Sequence, residues 1–138
     1  MRTRNISGNA AILAMTLATG LTACTTRAPD YLEYAAYQDT NTVASRIAER
    51  VGACWFKDGN NAFSRFAYAP ELNSFSGKPR ILIVPKADPA GLPQLVIEVS
   101  DGARATVVKL FGPLLATSRG TSIQRDVERW ADGGMDCS

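Results

Sequence analysis

No histidine occurs in the 138 residues, which removes the commonest general base and metal ligand. The Ser/His/Asp and Cys/His nucleophile arrangements and the His-based zinc sites are excluded with it. The chain also lacks a Walker loop, a Gly-rich dinucleotide turn, a metal-ligand spacing and a nucleophile elbow, so no metal or cofactor is expected. Paired carboxylates are the remaining acid/base option. Asp126 with Glu128 and Asp132 with Asp136 are the pairs available, but helix positions two apart do not face each other. The chain therefore reads as a protein that is not an enzyme. It has no repeat and no heptad pattern. Its longest early apolar stretch, Ala10 to Leu21, is too short to span a hydrocarbon core of about 30 Å.

That stretch nevertheless has a purpose. Arg2 and Arg4 precede it, no further charge appears until Arg27, and it ends in Leu21-Thr22-Ala23-Cys24. Basic start, apolar middle and small residues before a boundary are the layout of an export signal. The four-residue ending resembles the lipobox of bacterial lipoproteins. The resemblance covers residues 1–24 and implies that residues 1–23 are cleaved and that Cys24 carries a diacylglyceryl group on sulfur and an acyl group on its new amine. Each buried acyl CH₂ contributes about 0.8 kcal/mol, so two or three chains anchor a protein stably where one does not. Thr25 stands where an Asp would mark inner-membrane retention in well-understood lipoproteins, so the resemblance points to the outer membrane, with palmitate-type acylation at Cys24.

Charge of one sign is also missing once the signal is removed. Of 15 basic residues, Arg2 and Arg4 leave with it, and 13 basic residues then stand against 13 acidic ones. No net positive field remains to attract nucleic acid. The 115 residues from Cys24 onward are enough for one self-supporting domain. Cysteine is scarce, and with Cys24 committed to lipid, Cys54 and Cys137 form an even pair outside the cytosol. A disulfide between them is expected, with two buried free thiols as the alternative.

Residues 24–38 read as a lipidated tether and 39–138 as a single α+β domain. Tyr31, Tyr34 and Tyr37 recur every three residues and would share one side of a helix, either resting at lipid headgroups, docking on a partner, or packing back on the domain. A helix should begin at Asp39 or Thr40 and run to about Cys54, burying Val43, Ile47, Val51 and Trp55. Trp55-Phe56 at its exit reads as core. Four strands are expected over Phe63–Tyr68, Arg80–Val84, Leu95–Val99 and Arg104–Leu110, the last two joined by a tight turn at Asp101-Gly102. Proline-rich Pro85–Pro93 is an exposed loop. A second helix should start at Thr121 with Gln124 in a capping box, bury Ile123, Val127 and Trp130, and stop at Gly133-Gly134.

This α-β-β-β-β-α order predicts a two-layer sandwich, a four-stranded antiparallel sheet with two helices on one face. Phe111, Leu114 and Leu115, interrupted by Gly112-Pro113, either fold under a helix or form an exposed apolar patch. Phe75–Arg80 carries two cations beside an aromatic and reads as a solvated loop. The expected function is that of a non-enzymatic accessory or interaction subunit of the cell envelope, anchored through Cys24 and holding an envelope protein partner with the uncovered face or edge of its sheet. A ligand-binding or enzyme-inhibitor module in the periplasm or at the cell surface is the alternative.

Overall fold

The computed structural model describes residues 30–57 and 61–137. Cys24 and the first residues of the expected tether, 24–29, lie outside them. The elements are β1 (Tyr31–Ala36), α1 (Thr40–Arg50), a π-helical turn (Val51–Trp55), a 3₁₀ turn (Asn61–Phe63), β2 (Phe66–Glu71), β3 (Arg80–Pro85), β4 (Leu95–Asp101), β5 (Thr106–Phe111), a second 3₁₀ turn (Pro113–Ala116) and α2 (Gly120–Ala131). The class is α+β, and the sheet is antiparallel with five strands in the order β1-β5-β4-β3-β2.

The fifth strand corrects the expected count of four. β1 comes from residues read as tether, Tyr31-Leu32-Glu33-Tyr34-Ala35-Ala36, whose alanines and glutamate have little strand propensity of their own. Pairing supplies what propensity does not. Tyr31 to Ala36 align with Phe111 to Thr106, closing the edge that β5 would otherwise present.

Alternation decides what is buried. Ile81 and Ile83, then Leu95, Ile97 and Val99, then Val108 and Leu110 all face the helices and are fully buried. Val43, Ile47 and Val51 from the first helical segment and Ile123, Val127 and Trp130 from α2 pack onto them in one cluster. Burial of each such side chain contributes about 1.5–3 kcal/mol. Both helices therefore lie on one sheet face, with α1 over β3, β4 and β5 and α2 over β1.

Asp39 caps α1, its Oδ1 accepting the Thr42 N–H at 3.0 Å. The Thr42 side chain and then its backbone N–H hold the Asp39 carboxyl below its ordinary value. The capping contribution is thus present above the ordinary carboxyl pKa and lost as pH falls through the lowered one.

The first helix departs from expectation at its end, because α geometry stops at Arg50 and continues as one wider π turn. This turn accommodates Gly52, where a Cβ would lie 2.6 Å from the Tyr68 hydroxyl, and it still delivers Trp55 to the core. β2 starts three residues later than expected, since Phe63 ends a 3₁₀ turn and stacks on Trp55 at 4.8 Å instead of joining the sheet. α2 begins at Gly120 without a side-chain cap, so the capping box at Thr121 is not formed.

Cys54 and Cys137 form a disulfide with a Cα–Cα distance of 5.3 Å and a sequence separation of 83. It joins the π turn to the segment after α2. Around it, Arg46 donates to the Trp130 and Ala131 carbonyls at 3.1 and 3.4 Å, and Arg50 to the Met135 carbonyl at 3.0 Å. The Trp130 indole N–H donates to the Asp136 carbonyl at 3.0 Å, beside Cys137. Trp55 donates to Asp126 Oδ2 at 2.9 Å, and Arg129 donates to Asp126 Oδ1 at 2.6 Å. The buried Asp126 carboxylate therefore ties the helical segments together.

Candidate functional site: the open sheet face and its β1 edge

The sheet face opposite the helices is set by the same alternation. Register places Tyr31, Phe111, Val96, Leu82 and Ala69 side by side, an apolar row crossing all five strands. The next row along the strands is Glu33, Lys109, Glu98, Arg80 and Glu71, in which the sign of charge alternates at every step. Glu33 lies 3.7 Å from Lys109, Glu98 lies 3.9 Å from Lys78, and Glu71 lies 2.7 Å from Arg80. The Lys109 ammonium also sits 4.4 Å from the centre of the Tyr31 ring. Such half-exposed pairs contribute little to stability. Their effect is to give the face a row of alternating charge.

At the β1 edge this face turns into a groove of about 500 Å³ lined by Asp30, Tyr31, Leu32, Gly112, Leu115 and Gln124, among others. β1 forms its wall, and Gly112 shapes its floor. With φ +132° and a notional Cβ 2.6 Å from the Gln94 carbonyl oxygen, Gly112 lets the chain leave β5 against β4 and enter the 3₁₀ turn. The two sheet edges differ. β2 carries Pro70, which removes a donor from its edge, whereas β1 has no proline, and among the described residues no strand pairs with its outer side.

The residues singled out in the sequence separate into three groups. Tyr31, Phe111 and Leu115 come together, the first two as partners on the open face and Leu115 with Tyr31 in the groove. Leu114 is buried in the core with 4% exposure, so the apolar segment is divided between packing and surface. Tyr34 and Tyr37 are elsewhere. A strand sends residues three apart to opposite faces, so Tyr34 points under α2 while Tyr31 points outward, and Tyr37 stands 89% exposed beyond the far end of β1. The shared helical side expected for the three tyrosines does not form.

Burial first, and the nearby Glu128 carboxylate second, push the Tyr34 phenol above its ordinary pKa. A folded-state value above the unfolded one means the neutral phenol is favoured by folding, and that stabilisation is lost as pH rises through the raised value. An alkaline titration followed by tyrosinate absorbance should show one late-ionising tyrosine, and Tyr34→Phe should delete that step. A titration unchanged by the substitution would contradict the placement of Tyr34.

The sequence carries a signal of the charged row. Glu98 and Lys109 each interrupt an apolar strand at an outward position. Among the described residues no group of His, Cys, Asp or Glu could hold a metal ion, and no helix is long and apolar enough to cross a membrane. No protein-family model, curated protein or solved structure matches the chain.

Proposed function

We propose that the protein is a small lipoprotein of the cell envelope, anchored by acylated Cys24 in the outer membrane, and that it acts as a non-enzymatic accessory or interaction subunit. The observation that carries the reading is the open sheet face. An apolar row, a matched row of alternating charge and an unblocked edge strand lie together on the side of the sheet that the helices leave uncovered. The lipobox supports the anchor, and the Cys54–Cys137 disulfide accords with a compartment outside the cytosol. A protein partner presenting apolar side chains flanked by charges of alternating sign would bury the row and satisfy the ladder.

Photo-crosslinking from single positions in intact cells tests this face. A crosslinking residue at Leu82 or Phe111 on the open face should give one dominant adduct, and the same residue at Ser45 on the exposed side of α1 should give none. Equal adducts from both sides, or none from the sheet, would count against an interaction through this surface.

A further inference from the structure

Register defines which end of the sheet faces the anchor. Tyr31 pairs with Phe111, Ile83 with Leu95 and Phe66 with Pro85, so Asp30, Gly112, Gln94, Lys86 and Arg65 all emerge at one end. Three cations gather there. The Lys86 N–H donates to the Arg65 carbonyl at 2.9 Å, and Arg65 and Arg119 line one cavity of about 290 Å³ with the polar residues Asn61 and Ser64. All three side chains are exposed, and none forms an ion pair among the described residues. The only carboxylate of the β3–β4 loop is Asp88, and Leu92 of the same loop is 85% exposed.

We infer that this end of the sheet docks on the bilayer through Arg65, Lys86 and Arg119, with the phosphate groups of anionic lipids as their partners and Leu92 entering the interface. The inference rests on the lipoprotein reading, in which seven residue steps separate Cys24 from Tyr31. Fully extended, that length reaches only about 25 Å. The sheet is about 19 Å wide across its four inter-strand gaps, so a domain held this close can rest its whole tether end on the lipid surface. Cations near an anionic leaflet each favour the docked orientation by about fivefold. Docking on this end leaves the open sheet face upright and free for a partner.

The test uses the full chain as cells process it, mixed with vesicles of brominated lipids, with Leu92→Trp as the reporter and Phe75→Trp as a second reporter at the opposite end of the sheet. Bromolipid quenching of the indole at position 92, stronger on vesicles containing phosphatidylglycerol than on phosphatidylcholine alone, is the expected result. The indole at position 75 should stay unquenched. Replacing Arg65, Lys86 and Arg119 by Gln should lower the ratio of docked to undocked protein by about fivefold per cation removed. Flotation of the protein with vesicles while position 92 stays unquenched, or quenching at position 75 instead, would overturn the docking and leave the anchor intact. Loss of quenching on adding inorganic phosphate at constant ionic strength would reassign the cluster to a soluble anion and likewise overturn it. Failure to float at all would overturn the lipoprotein reading itself.

Discussion

Cys54→Ser is expected to cost about 2–5 kcal/mol, the usual loss when a native disulfide is removed from a small exported domain. Chain entropy sets the upper end, because a bridge across 83 positions removes loop-closure freedom worth up to about 4.5 kcal/mol from the unfolded chain. For a domain of this size the loss should lower Tm by about 8–20 °C. The partner thiol at Cys137 is exposed, so the variant should also react with a thiol reagent while folded. An unchanged Tm, or two reactive thiols in the unsubstituted native protein, would show that the bridge does not hold the fold.

The second large effect is expected at Trp130. Its side chain is fully buried, its ring lies 5.3 Å from that of Trp55, and its indole N–H holds the Asp136 carbonyl next to Cys137. Trp130→Ala empties the centre of the helix layer and should cost about 3–5 kcal/mol, a large share of a total stability of about 5–15 kcal/mol. Trp130→Phe keeps much of the volume and removes the N–H, leaving the Asp136 carbonyl without that donor. Its cost should be smaller and coupled to the disulfide. In a double-mutant cycle, Trp130→Phe with Cys54→Ser should depart from additivity by about 0.5–3 kcal/mol, as groups sharing one network do. Urea denaturation of the four proteins measures this, and strict additivity would separate the indole bond from the placement of Cys137.

The helix layer and the inner sheet were readable because their side chains follow simple periods. Val43, Ile47 and Val51 on one helix face, and alternating Leu95, Ile97 and Val99, are each explained by which side faces the core. The cysteine pair followed from parity and compartment. β1 was unreadable for the opposite reason. Little local favours extension in Tyr31–Ala36 beyond its two tyrosines, and its conformation is imposed by the exposed edge of β5, a contact between residues distant in sequence.

Hairpin register shows the same limit at finer scale. A tight Asp101-Gly102 turn would align Ser100 with Ala103, whereas Asp101 in fact pairs with Thr106 around a four-residue loop. Two long-range bonds select the longer loop: Thr106 donates to the Gln38 carbonyl at 2.7 Å, and the Thr40 hydroxyl donates to Asp101, fastening the hairpin to the start of α1. This shifted register is what brings Glu98 opposite Lys109 and so assembles the charged row. Without it the outward residues were visible but their alignment was not. In the sequence Tyr31 and Phe111 are separate contact candidates, and only the β1–β5 pairing unites them.

The central claim, a domain held at the membrane by Cys24 and braced by one disulfide, is tested most directly by intact mass on the membrane-extracted protein, reduced and non-reduced. The account predicts a chain beginning at Cys24 that carries the added mass of its acyl groups and gains two hydrogens on reduction of the Cys54–Cys137 bridge. An unacylated species, or one retaining residues before Cys24, would contradict the anchor and redirect the search for partners away from the membrane surface.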